Sequence, residues 1–408
     1  MPCAAGQPSP RAHDRGSPSV TVGVIGAAAL PVGSYMPSEH ASGAVYEHER
    51  LLDVVDQALA VAGLNVEDVG AVIATQNVPA TRQLGFLSFF ASRAGIRASA
   101  NLLEVSALGT TGATAFDLAV NEVALGHADV ALALGVHFES QAPLADAIAS
   151  GIRAVGDVDF QSVYGLSPIS WYALDASRYL HDAGATRTEL AAVAVKSRQF
   201  SRHNAYAQMR HPITVDEVLE APPIVEPLGL LDVPARSDGV ICVVVGRVQG
   251  GAGMEVIGRG YGHDGHHQMG GVPHEMTNLV AARMAVATAL ADADVTMPEV
   301  GVWELYAPCT ITEVLATEAI GLLPRHHGAF AAAEGRTGPD GDVRVNPSGG
   351  CLGRGHPSNI TGLYQVLEAW LHLTGRAGDR GIATEHALTL AEGGNYNTAL
   401  AHLFRRAA

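Results

Sequence analysis

Apolar residues recur along this chain in two rhythms, and their alternation predicts the architecture. Residues 20–26, valine- and isoleucine-rich, read as a first strand ending in glycine. Leu51, Leu52, Val54, Val55, Ala58, Leu59 and Ala62 then return at helical spacing, with Gly63 placed to close the helix. Residues 71–75, 129–135 and 240–245 read as further buried strands. Strands alternating with helices in this way predict a largely parallel sheet with helices on both faces.

Two stretches share one plan. The turn Gly109-Thr110-Thr111-Gly112 precedes a helix with Phe116, Ala119, Val120, Val123 and Ala124 on one face, followed by Gly126 and a strand. Far downstream, a glycine-rich turn at 349–355 precedes a helix with Leu363, Val366, Leu367, Trp370 and Leu371 on one face. Gly375, Gly378 and a strand at 386–390 follow. The apolar offsets coincide in the two helices, as a single buried stripe requires, so the chain reads as an internal duplication. The expected parts are a flexible tail at 1–18, an N-terminal half at 19–250 and a C-terminal half at 254–408. An insertion at about 141–236 interrupts the first half, where Pro212, Pro222, Pro223, Pro227 and Pro234 argue against regular sheet.

Composition narrows the function. The chain has 408 residues, of which 48% are hydrophobic and 16% charged, enough for a large core and unlike a disordered segment. A net charge of −16 argues against a nucleic-acid partner. It leaves an anionic ligand such as coenzyme A open, because local fields can oppose the net charge. No apolar run of about 20 residues predicts a membrane span. The four cysteines show no CxxC spacing, which speaks against a zinc ribbon or a disulfide framework and for a cytoplasmic setting.

The candidate chemistry lies in Asn346-Pro347-Ser348-Gly349-Gly350-Cys351-Leu352-Gly353-Arg354-Gly355-His356-Pro357. It sets a histidine, able to move a proton near neutral pH, on a turn whose glycines allow a ligand close to the backbone. With Thr361-Gly362 behind it, this loop matches the histidine loop of the thiolase superfamily. From about 20 to 405 the chain resembles that superfamily's sterol-carrier-protein and lipid-transfer-protein branch. Glu304-Leu305-Tyr306-Ala307-Pro308-Cys309-Thr310 resembles the second active-site loop. Residues 194–198 and 227–232, with Ser237-Asp238-Gly239, match segments of the loop region and its return to the sheet.

The resemblance implies a thiolase-like α/β fold, with two duplicated βαβ-rich halves in five α/β/α/β/α layers, usually as a homodimer. It places Gly109 where thiolases carry the acyl-accepting cysteine, and glycine cannot form a thioester. Residues 393–398 also lack the acid/base cysteine of degradative thiolases. Some lipid-transfer-protein-type relatives instead cleave β-hydroxyacyl-CoA thioesters by retro-aldol chemistry, using tyrosines at the positions of Tyr306 and His356. This chain keeps one tyrosine and has histidine at the other position.

A retro-aldol step needs a base for the β-hydroxyl proton and a way to stabilise an enolate. Tyr306 is expected as the base, provided its surroundings lower its pKa from about 10. His356, with backbone N–H groups near Gly109 and Gly394, is expected to form the oxyanion hole. The bare Gly109 is expected to leave room for a bulky β-substituent. Cys351, Cys309 and Asn346 are candidate pocket residues. The two cysteines are substitute nucleophiles under the alternative, an acyltransferase or Claisen-type condensing enzyme; a third reading is a non-catalytic acyl-binding subunit.

Coenzyme A, as part of the substrate, stands in place of a separate cofactor. Schiff-base chemistry needs a pocket lysine, and the sole lysine, Lys196, lies outside the matching catalytic loops. His263, His266 and His267 lack an ordered ligand pattern, so no metal is expected. Gly258-Arg259-Gly260-Tyr261-Gly262 lacks the strand–GxGxxG–helix context of a nucleotide site and reads as a turn. Arg198, Arg202 and Arg210 are candidates to face a coenzyme A phosphate. The resemblance also implies a small zinc-ribbon/OB-fold protein that binds acyl-CoA as a partner.

Overall fold

Among the described residues, runs of valine, alanine and isoleucine bounded by glycine build one mixed sheet of nine strands. The computed structural model describes residues 21–35, 47–76, 85–141, 143–155, 157–248, 251, 253–264 and 276–408. The tail with Cys3, and His266 and His267, lie outside the described residues. In chain order the strands are β1 (Val22–Ala29), β2 (Ala71–Thr75), β3 (Asn101–Val105), β4 (Val130–Phe138), β5 (Pro223–Val225) and β6 (Leu228–Gly229). They continue with β7 (Asp238–Arg247), β8 (Met254–His263), β9 (Val300–Leu305), β10 (His386–Gly393) and β11 (Thr398–Arg406). Strands β5 and β6 form a separate small pair, and the main sheet runs β3-β2-β4-β7-β1-β8-β11-β10-β9.

The sheet is not largely parallel. Only β3-β2, β2-β4 and β10-β9 pair in parallel; β4-β7, β7-β1, β1-β8, β8-β11 and β11-β10 are antiparallel. A buried apolar run has the same pattern read in either direction, so it reports coverage on both faces and not polarity. The duplication is visible in the sheet. The order β2-β4-β7-β1 is repeated as β9-β10-β11-β8 with the same relative directions, and β3 is an added edge.

Helices α1 (Glu47–Ala62), α2 (Phe86–Ala94) and α3 (Thr111–Ala124) belong to the first half. The insertion is chiefly helical, with α4 (Leu144–Ala154), α5 (Pro168–Ala183), α6 (Arg187–Ser201) and α7 (Val215–Glu220). Its helices start where capping predicts: Ser167 caps α5 ahead of Pro168, and Thr186 with Glu189 forms a capping box on α6. The second half adds α8 (Val280–Ala293), α9 (Thr310–Ala319), α10 (Gly328–Ala333), α11 (Gly350–Gly353) and α12 (Thr361–Leu373).

The two matching helices, α3 and α12, pack together between the half-sheets. A Cβ on Gly362 would stand 2.7 Å from the Ala113 nitrogen, and one on Gly112 would stand 3.0 Å from the Leu363 nitrogen. Phe116, Leu363 and Trp370 join one core with Val243 and Phe404 from the two half-sheets. Each such side chain contributes roughly 2 kcal/mol relative to exposure. Helices α1 and α2 cover the outer face of the first half, while α8 and α9 with α5 and α6 cover that of the second, completing five layers.

The stretch 258–262 corrects its reading as a turn: it lies inside β8. Cβ atoms on Gly258, Gly260 and Gly262 would overlap the carbonyl oxygens of Ala289, Ala285 and Ala281. Glycine at every second position gives β8 one bare face, on which α8 lies backbone to backbone. Glycine content suggested a turn, but the period of two was the better signal.

Candidate active site

Tyr306 leaves the end of β9 and is held from both sides. Its N–H donates to the Leu390 carbonyl at 2.8 Å, and its own carbonyl accepts from the Tyr396 hydroxyl at 2.6 Å. Its hydroxyl stands 2.8 Å from His356 Nε2 and 3.2 Å from the Ser358 carbonyl oxygen. The two rings meet edge to face with centroids 5.2 Å apart.

The histidine loop is anchored from beneath by a buried carboxylate. Glu304 accepts from the Ser348 N–H at 2.9 Å and from its hydroxyl at 2.7 Å, and it pairs with Arg354 at 3.4 Å. At the loop's foot Asn346 adopts φ +56° and is buried. Its Nδ2 donates to Glu313 at 2.7 Å and its Oδ1 accepts from the Leu305 N–H at 2.7 Å, so the amide holds the strand end. The His356 N–H donates to Ser237 Oγ at 3.0 Å, and Arg236 bridges the same backbone.

Gly109 stands against this pair. A Cβ there would overlap the Glu392 carbonyl oxygen and sit 3.0 Å from the Tyr306 hydroxyl. The volume a cysteine would need is filled by tyrosine and backbone, so the glycine does not open room for a bulky substituent at that point. Gly394 lies past the end of β10 with φ +62°, and a Cβ there would face Asn397 Nδ2 at 3.3 Å and the Ala154 carbonyl at 3.4 Å. Its neighbour Gly393 is the one that borders the Gly109 turn, where a Cβ would stand 3.4 Å from the Ala107 carbonyl.

Electrostatics corrects the expected role of Tyr306. Burial, reinforced by Glu392, Cys351, Tyr396 and Glu139, pushes its phenol well above the ordinary 10 rather than below it. Tyr306 therefore rests as a donor. Burial pushes His356 down to about 4, with Glu139 pulling it up and His137 and Arg354 pushing it down. Near pH 7 the pair is a protonated phenol beside a neutral imidazole, an arrangement able to pass a proton along one hydrogen bond.

Neither cysteine is a resting thiolate. Burial pushes the Cys351 thiol up to about 12, outweighing Arg354 and the Ala307 N–H. Cys309, fully buried at the start of α9, is pushed well above its ordinary value by burial and by Asp232. The sole lysine is committed elsewhere: Lys196 Nζ lies 2.6 Å from Glu313 and 2.7 Å from the Val345 carbonyl, all buried. Arg202 and Arg210 are exposed near the end of α6, and Arg198 is half-buried. His263 ends β8 exposed, and among the described residues no cluster of three or more histidine, cysteine or carboxylate side chains could hold a metal. No described helix is long and apolar enough to cross a membrane.

Several site residues escaped the sequence reading. Tyr172 donates to Glu392 at 3.0 Å and the Tyr396 N–H donates to the same carboxylate at 2.9 Å, forming a buried network behind Tyr306. On the other side His137, Glu139 and Arg236 gather near His356. The available clue was Ser237-Asp238-Gly239. Asp238 accepts from the Ser140 N–H at 2.8 Å and the Tyr35 N–H at 2.6 Å, fixing the turn that carries Glu139.

Known proteins share this architecture. Residues 22–241 match the family described as thiolase, N-terminal domain, and residues 262–406 match the thiolase C-terminal domain-like family. An acetyl-CoA acetyltransferase of Methanothermobacter thermautotrophicus is 30% identical over 314 residues, covering 74% of this chain and 79% of that protein. Sterol carrier protein 2 of Bos taurus is 27% identical over 291 residues, covering 66% of this chain and 52% of that protein. Among solved structures, the Ltp2-ChsH2(DUF35) aldolase aligns with a TM-score of 0.76 at 21% identity, covering 95% of this chain and 98% of that one. The chain belongs to the thiolase superfamily and is similar to its sterol-carrier-protein-2 members.

Proposed function

We propose that the chain breaks or forms a carbon–carbon bond in aldol fashion on a β-hydroxyacyl-CoA thioester, without an acyl-enzyme. The observation that carries this reading is the Tyr306 hydroxyl, 2.8 Å from His356 Nε2 and set against the bare Gly109. Where a thiolase nucleophile would stand, this site has a proton relay. In the cleavage direction the substrate's β-hydroxyl gives its proton to the Tyr306 oxygen as the tyrosine proton passes to His356 Nε2. The bond between the α and β carbons breaks, and its electron pair becomes the thioester enolate while the β carbon leaves as an aldehyde or ketone. A proton returned to the α carbon completes the shortened acyl-CoA. Backbone N–H groups of the Gly109 and Gly394 segments face the enolate oxygen in this scheme.

The fold-level likeness to an aldolase supports this reading. Acyl transfer or Claisen condensation is the second reading, favoured by the 30% identity to an acetyl-CoA acetyltransferase. Against it stand Gly109 and two buried, protonated thiols. A non-catalytic acyl-binding subunit is the third.

Arg198, Arg202 and Arg210 are the candidates to face the coenzyme A phosphates in this reading, with solvated surface arginines as the alternative. A homodimer belongs to the proposal, supported by the open edge strand β3 with its exposed Leu102 and Leu103. So do a cytoplasmic setting and a small zinc-ribbon/OB-fold partner that binds acyl-CoA. Purified protein, with and without such a partner, should release an aldehyde or ketone from a β-hydroxyacyl-CoA. No release, together with an acyl transfer that Cys351→Ser abolishes, selects the second reading. Binding without turnover selects the third.

A further inference from the structure

We propose that Glu139 is a positioning residue of this site, the fixed negative charge that faces His356 and balances its imidazolium when the histidine takes a proton. Because His356 is read above as the proton acceptor of the aldol step, this role rests on that reading.

Glu139 follows the last residue of β4 and is held on three sides. Its Oε2 lies 3.4 Å from Nε2 of the buried His137, and its Oε1 lies 3.8 Å from Arg236 Nε. Its backbone carbonyl accepts from Arg236 Nη2. The next residue, Ser140, is clamped by the buried Asp238, which accepts from its N–H and its hydroxyl. The turn is therefore rigid, and the carboxylate at its tip remains about a quarter exposed, with a side-chain accessibility of 27%. Arg236, which pairs with Glu139, also bridges the His356 backbone, so the Glu139 turn and the histidine loop are tied to the same residue.

The groups acting on His356 are Glu139 and His137 from β4 and its turn, Arg236 from the strand entry, Arg354 from its own loop and Tyr306 from the end of β9. Glu139 is the carboxylate among them. Burial raises Glu139, but His137, His356 and Arg236 outweigh this and hold it below its ordinary value, so it carries its charge near neutral pH. A charge already in place when the proton arrives needs no reorganisation at that moment.

Two measurements test the proposal on the intact protein. In the first, the imidazole 15N shifts of His356 are followed from about pH 7.5 to about pH 4.5. Wild type and Glu139→Asp should begin to protonate across this range, whereas Glu139→Gln should stay neutral. In the second, Glu139→Gln should lower kcat roughly tenfold with KM little changed, and Glu139→Asp should restore most of it. Identical His356 titration in wild type and Glu139→Gln overturns the proposal, even where aldol cleavage is observed. If no β-hydroxyacyl-CoA is cleaved but the titration differs as expected, the reaction assignment fails while the charge pairing stands.

Discussion

The turn at 109–112 and the turn at 346–357 occupy equivalent places in the two halves, each leading into a helix of the middle layer. They are secured in different ways. The first is tied locally: the Ala107 N–H donates to Thr111 Oγ1 at 2.8 Å, and the Thr110 and Thr111 hydroxyls donate back to the Ala107 and Leu108 carbonyls at 2.7 and 2.6 Å. The second is pinned from below by the buried Glu304–Arg354 pair and by Asn346. The first has no reactive side chain and is closed by Tyr306, while the second presents His356. A duplicated fold thus fixes where its turns stand, but not what they carry or how firmly they are held.

The comparison breaks first if the reacting side chains are misassigned. His356→Ala should lower kcat by about a thousandfold while leaving the melting temperature nearly unchanged, and Tyr306→Phe should lower it by about a hundredfold. Steady-state rates on the β-hydroxyacyl-CoA read both, and a variant retaining full rate removes that residue from the relay.

Anchoring comes next. Burial pushes Glu304 up to about 7, so in urea unfolding above that pH Glu304→Gln leaves Arg354 buried without its counter-charge and should destabilise the protein by about 3 kcal/mol. Thr111→Val, which loosens only the locally tied turn, should cost about 1 kcal/mol. Equal losses would erase the distinction between the two turns.

Restoring a cysteine asks whether the first turn is merely unequipped or built against a nucleophile. Gly109→Cys should give no acyl-enzyme mass increment after incubation with acyl-CoA. It should destabilise by about 2 kcal/mol, because its Cβ meets the Glu392 carbonyl and the Tyr306 hydroxyl. A stable acyl-enzyme would revive the thiolase reading.

The smallest effect is a pH dependence. His356 sits at about 4 in the fold against an ordinary 6.5, so the unfolded chain binds its proton first as pH falls. Its contribution to stability is present above about 6.5 and is lost as pH falls toward 4. The melting temperature should decline across that window, and less so in His356→Gln.

Much of the fold was legible because helix stripes and buried strands are local patterns. The two stripes at 116–124 and 363–371 gave the duplication, while the layers followed from the resemblance carried by the histidine loop. Strand direction was not legible, because β7 and β11 read alike whichever way they run. The place of Tyr306 was legible from its motif, but its proton affinity was not. That depends on burial and on Glu392, which lies on a strand from a distant part of the chain. Glu139 stayed hidden because only folding brings the end of β4 beside the Arg236 segment and the histidine loop.

Gly112 and Gly362 give the molecule something like a gauge. Each lies in the first turn of its helix, directly behind one of the two glycine-rich turns, and there the two backbones touch with no side chain between them. The reach from Gly109 to His356 is therefore calibrated by hydrogen atoms in the middle layer. A single methyl group at either glycine would act as a wedge, altering the width of the site without touching any residue in it.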